Sequence, residues 1–187
     1  SRQRADAIAL QEAFPDLNVP NPVQNWGQPE RQAYRFALNG AYDLANAQAY
    51  VFSTYGFGNG VTDFNWRNPL STSAYGDSAI DPDYDLSAIF PAGFTPRFGQ
   101  DDNDFSLTGG YRSAGEGVFS YDLSASYGRN QIEYFMSNSI NASLGSASPT
   151  SFNIGTLTQT ELNLNADFVY LASLDFLADE TTQGAPR

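Results

Sequence analysis

The sequence predicts an all-β protein made of antiparallel up-and-down strands, and three observations carry the prediction. Stretches of about ten residues alternate apolar with polar side chains at a period of two, so each has one apolar face and one bearing Asp, Asn, Ser and Arg. The connections between these stretches alternate between very short and very long. Tyrosines fall near the ends of the apolar faces, as Tyr34 with Tyr42 and Tyr121 with Tyr127. Together these describe an antiparallel up-and-down transmembrane β-barrel segment with long extracellular loops, an architecture that gives no strong hydropathy peak. A soluble antiparallel sandwich also alternates, but it does not gather its long loops on one side of the hairpins.

In chain order, residues 1–14 form the one helix-like stretch, Ala-rich and free of Gly and Pro, with Ala5 and Ala9, and Ile8 and Glu12, one turn apart. Pro15 stops it. Pro20 and Pro22, among Asn18, Asn21 and Asn25, make the chain to Pro29 an extended loop. The sequence thus divides into a lead-in over 1–29 and a sheet over 30–187. Across 34–44, Tyr34, Phe36, Leu38, Gly40, Tyr42 and Leu44 oppose Arg35, Ala37, Asn39, Ala41 and Asp43. A second strand over 48–57 carries aromatics on both parities, which leaves its facing open. Gly56, Gly58 and Gly60 then break the pattern, and a long irregular loop is expected over 58–104.

Alternation resumes with Phe105, Leu107, Gly109 and Tyr111 against Asp104, Ser106, Thr108, Gly110 and Arg112. After a short turn at 113–117, residues 118–129 are the clearest strand: Phe119, Tyr121, Leu123, Ala125 and Tyr127 alternate with Ser120, Asp122, Ser124 and Ser126. An extension over 132–136 is left open, and a second loop is expected over 138–157. The last strong strand, 160–170, sets Leu162, Leu164, Ala166, Phe168 and Tyr170 against Glu161, Asn163, Asn165 and Asp167. Beyond Leu171 the pattern is ambiguous.

Composition excludes several chemistries. The 187 residues contain no His and no Cys, and all nine basic residues are Arg. A Ser-His-Asp triad, a thiol nucleophile, a zinc finger, a Walker-type phosphate loop and a Schiff-base lysine are therefore out of reach. With 21 acidic residues the net charge is −12, and the arginines are scattered, so nucleic acid is not an expected partner. No run of about 18 apolar residues exists to form a transmembrane helix.

The acidic segment Asp81, Asp83, Asp85 spaces its carboxylates like the start of a calcium loop. It places Leu86 and Ala92 where that loop needs Gly and Glu, so it is no EF-hand. A looser calcium site with Asp101, Asp102 and Asp104 stays open beside a plain acidic loop. The spacing of Gly56, Gly58 and Gly60 lacks the βαβ context of a dinucleotide fingerprint, and no spacing selects two carboxylates as a glycosidase pair. Trp66, Arg67, Tyr75 and Tyr84 are the candidate ligand-binding residues of the long loop, since stacking rings with one bidentate donor suit glycans or aromatic ligands. The same residues could equally pack the loop internally. No catalytic, metal or cofactor residues are assigned, and the protein is not expected to be an enzyme.

Several phrases resemble a known family. Residues 21–29 (NPVQNWGQP), 64–69 (FNWRNP), 90–96 (FPAGFTP), 102–107 (DNDFSL), 121–130 (YDLSASYGRN), 139–145 (SINASLG) and 148–152 (SPTSF) occur in the order seen in the barrel domain of TonB-dependent outer-membrane receptors of Gram-negative bacteria. The resemblance covers roughly residues 20–170. It implies part of a barrel of about 22 strands plugged by an N-terminal domain, of which five or six strands are present here. It also implies outer-membrane localisation, lipid as surroundings, a small nutrient ligand (siderophore, vitamin or carbohydrate), and contact with the TonB complex through a plug absent from this sequence. No TonB-box segment and no C-terminal aromatic strand are recognised, so the chain reads as a piece of a longer polypeptide. In that barrel Arg35, Asn39, Asp43, Asp104, Arg112, Asp122, Asn163 and Asp167 would face the lumen. The alternative is a soluble or self-assembling β-rich binding or structural module derived from such a receptor.

Overall fold

The structure, a computed structural model, describes residues 2–27, 29–76, 81–115 and 117–172. One helix, α1 (Ala5–Ala13), precedes five strands: β1 (Glu30–Asp43), β2 (Ala47–Asp63), β3 (Arg97–Ser113), β4 (Phe119–Ser137) and β5 (Phe152–Tyr170). They form one five-stranded sheet in the order β1-β2-β3-β4-β5, an antiparallel meander whose β1 and β5 edges carry no further strand among the described residues. The sheet is not closed. Residues 173–187, the tail of the predicted sheet region, lie outside the described residues.

The strands are longer than their alternation alone predicts. β2 continues through Gly56, Gly58 and Gly60 to Asp63, and β3 begins at Arg97, so the irregular connection is 64–96 rather than 58–104. Gly56 and Gly58 sit in the strand because its neighbours close over them: a β-carbon at Gly56 would stand 2.6 Å from Arg35 Cδ, and one at Gly58 would stand 2.8 Å from the Gln32 carbonyl oxygen. β4 takes in residues 132–136, and β5 starts at Phe152 instead of 160. Within β5, Gly155 has φ 138°. On its far side Asn153 meets Glu133, so the facing parity of β5 changes across this glycine in the manner of a bulge.

The chain divides into two compact units, each containing pieces of all five strands. The first comprises residues 1–35, 56–104 and 130–159, and holds α1 and both long connections. Its core is small: Ala7 and Leu10 of α1 pack with Val23 and Trp66, flanked by Leu17 and Val19. Gln24 Oε1 accepts the Trp66 backbone N–H at 2.6 Å, and Thr95 Oγ1 donates to the Val23 carbonyl at 2.5 Å. Further along this unit Arg97 bridges Glu30 at 2.9 Å and Asp63 at 3.3 Å, tying the starts of β1 and β3 to the end of β2.

The second unit comprises residues 36–55, 105–129 and 160–187. Here the strands are joined by short turns, 44–46 and 114–118, closed by Leu44 N–H to the Ala47 carbonyl at 2.7 Å and Ala114 N–H to Asn46 at 3.1 Å. It has no second layer among the described residues. Phe36, Leu38, Leu162, Leu164 and Phe168 are 59–76% exposed.

Candidate functional site

Cross-strand contacts settle which side chains share a face. Gln48 accepts from Arg112 Nε at 2.9 Å, and Tyr50 donates its hydroxyl to Asp122 at 2.6 Å with the Arg112 guanidinium 5.4 Å from its ring. Thr54 and Ser106 hydroxyls meet at 2.7 Å. Arg35 donates to the Tyr34 and Phe57 carbonyls at 3.0 and 3.2 Å and to Asp102 at 3.3 Å, with Arg31 3.9 Å from the other Asp102 oxygen. These contacts define one polar face holding Arg35, Arg112 and Asp122; by alternation Asn39, Asp43 and Asp104 lie on it, as do Asn163 and Asp167 of β5. Gln48 Nε2 reaches Asp43 at 2.6 Å, and Asn163 donates to Glu161 at 2.9 Å.

The opposite face is aromatic. Tyr34 stacks on Phe57 with centroids 5.1 Å apart, Tyr111 on Tyr121 at 6.0 Å and Phe119 on Phe168 at 6.1 Å. β2 therefore presents Val51, Tyr55 and Phe57 on the apolar side and Tyr50 on the polar side, which resolves the parity its sequence leaves open. Tyr50, which joins Asp122 and Arg112, and the pairing of Asp102 with Arg35 are the polar features that the sequence does not reveal. Their signal is the glycines opposite: Gly56 and Gly110 leave room for Arg35 and Tyr50 to lie across the neighbouring strand.

The long connection is internally packed. Trp66 is 4% exposed and sits in the core with Leu10 and Val23. Arg67 is half-buried, and its backbone pairs with Phe94 in both directions, at 2.7 and 3.3 Å. Tyr75 donates to the Phe90 carbonyl at 2.8 Å beside the stacked Phe90 and Phe94 rings, and burial raises its pKa above the ordinary tyrosine value. Tyr84 is also half-buried, its hydroxyl hydrogen-bonded to none of the described residues, and burial raises its pKa too. The structure thus brings the Tyr75 and Phe94 rings to 6.3 Å, while Trp66 packs in the α1 core and against Gly93. The acidic residues are spent locally. Asp81 accepts from the Ser146 N–H and hydroxyl at 3.2 and 2.8 Å, which lowers its pKa, and Asp85 accepts from Ser87 with the same effect. Asp102 lies in β3 against arginines, so the looser calcium grouping is not assembled, and no metal-holding cluster of three such residues occurs among the described residues.

On the apolar side, where β1 to β4 approach the long connections, an open cleft of about 360 Å³ is lined by Gln32, Tyr34, Phe57, Asn59, Asn103 and Glu133 among others. Compared with known proteins, the chain matches no family model, no curated protein and no solved structure.

Proposed function

We propose that these strands are part of an outer-membrane TonB-dependent transporter: one wall of a larger closed barrel that takes up a scarce nutrient when the TonB complex acts on a plug. The observation that carries this reading is the unpartnered aromatic and aliphatic face of the sheet, backed by a face of Arg, Asp and Asn. In water an apolar sheet face is buried under a second layer; in hydrocarbon its exposure is favourable. From Tyr34 to Tyr42 this face runs about 27 Å along the strand, or near 20 Å at a tilt of about 40°, close to the height of a lipid-facing band.

Topology supports the same reading. β1 and β5 are the first and fifth strands of a meander and so run in the same direction. An antiparallel barrel closes only when an odd number of further strands separates them, as in an even-stranded barrel of about 22 strands. Hydrocarbon requires that closure, because an open edge leaves backbone N–H and C=O groups unsatisfied. In this account Arg35, Asn39, Asp43, Arg112, Asp122, Asn163 and Asp167 face the lumen or the plug, and the 64–96 and 138–151 connections, with Arg67, Tyr75 and Tyr84, lie on the ligand side.

The test is labelling of the full chain by a photoactivated probe confined to the acyl region of phosphatidylcholine vesicles. Labels on Tyr34, Phe36, Leu38 and Leu164, with Arg35 and Asn39 spared, are expected. The reverse pattern overturns the facing. A dispersed, unlabelled monomer in detergent-free buffer makes the protein a soluble module instead.

A further inference from the structure

On the face that carries Tyr34, Phe36 and Leu38, the apolar alternation ends at one level of each strand and continues as polar side chains. β1 passes from Tyr34 back to Gln32, β2 from Phe57 to Asn59, β3 from Phe105 back to Asn103 and Asp101, and β4 from Tyr127 through Arg129 to Gln131 and Glu133. These are the walls of the open cleft of about 360 Å³, and the stacked rings of Tyr34 and Phe57 form its apolar margin. Four amides and the carboxylates of Asp101 and Glu133 surround it, and no cation among the described residues lines it. Two of its walls are braced: Gln32 donates to the Tyr34 hydroxyl at 2.9 Å, and Glu133 accepts from Asn153 at 3.0 Å.

The chemistry selects a ligand class. Amides donate and accept, and carboxylates accept, which suits closely spaced hydroxyls; a ring at the margin suits the C–H face of a sugar. Asp101 and Glu133 would repel a phosphate, and acyl chains would leave the polar walls unsatisfied. With the aromatic band in hydrocarbon, as proposed above and on which this inference rests, the cleft stands just beyond that band, at the level of lipid headgroups. We propose that it binds the uncharged sugar headgroup of a membrane glycolipid, anchoring the barrel wall at a fixed depth. Braced side chains lower the ordering cost of that contact.

The experiment presents the full chain, in detergent micelles, with monoglucosyl diacylglycerol, phosphatidylcholine and phosphatidylglycerol, and counts retained lipids by native mass spectrometry. Retention of the glucosyl lipid about tenfold over phosphatidylcholine is expected, the worth of one or two net hydrogen bonds. Asn59→Ala with Asn103→Ala should abolish that preference; both residues are exposed, and persisting phosphatidylcholine retention reports that the fold is kept. Asp101→Asn, which keeps shape, should raise phosphatidylglycerol retention. Equal retention of the three lipids, or variants that behave as the parent, overturns the assignment. So does a preference for phosphatidylglycerol, which would point to Arg129, or displacement by free methyl glucoside as effective as by the lipid. Retention of no lipid at all removes the barrel reading, and the cleft's assignment with it.

Discussion

Gly109 and Gly110 are neighbours in β3 and point to opposite faces, which makes them a matched pair for testing the facing of the sheet. A β-carbon at Gly109 meets nothing within 4 Å, whereas one at Gly110 collides with the phenolic end of Tyr50. Gly109→Ala should therefore stabilise slightly, by about 0.5 kcal/mol, because it removes the backbone freedom of an unfolded glycine at no steric cost. Gly110→Ala forces Tyr50 to rotate away. That gives up its hydrogen bond to the Asp122 carboxylate, worth about 1.5–3 kcal/mol, and the Arg112 contact with its ring, about 0.5–1 kcal/mol at an exposed site. After the same backbone gain is subtracted, the net loss is about 1.5–3.5 kcal/mol. Urea midpoints of the two variants, at an unchanged denaturant slope, measure the difference. Equal midpoints, or a Gly110→Ala variant as stable as the parent, would refute the assignment of Tyr50 to the polar face.

Leu10→Ala empties the centre of the α1 core and should cost about 2–5 kcal/mol locally; a nine-residue helix cannot stand alone, so tryptic cleavage after Arg4 should accelerate. In a double-mutant cycle, Arg35→Ala with Asp102→Ala should show a coupling of at most about 1 kcal/mol, because Arg35 is half exposed. Burial raises the Tyr75 pKa from its ordinary 10.0, so its contribution is complete below about pH 10 and is lost as pH rises further. Tyrosinate absorbance should then rise together with cleavage after Arg67. The Asp81 pKa is lowered by Ser146, so its contribution is present above the usual carboxylate range and lost on acidification; Ser146→Ala should flatten acid sensitivity of the 64–96 connection, read by the same proteolysis.

The alternation of Phe119 to Tyr127 and of Leu162 to Tyr170 announces strands outright, since a period of two at full contrast fits no other regular structure. The same pattern hides the strand ends near the long connections. There β2 carries glycines and β3 carries Asp101 to Asp104, composition that reads as loop when neighbours are unknown. The candidate binding residues are legible only as residue types: a tryptophan in a long loop signals packing or recognition equally, and Trp66 is buried in the α1 core.

Sequence by itself determined that these residues form an antiparallel β-sheet with one apolar and one polar face, and that chemistry needing His, Cys or Lys cannot rest on them. Facing alternates along a strand whatever surrounds it, and an absent side chain is absent in any fold. Only the tertiary structure decided how far each strand runs, which aromatics of β2 share a side with Arg112, and where the apolar face turns polar. Those answers depend on cross-strand partners far apart in sequence, such as Arg35 over Gly56 or Tyr50 over Gly110, and no local period encodes them.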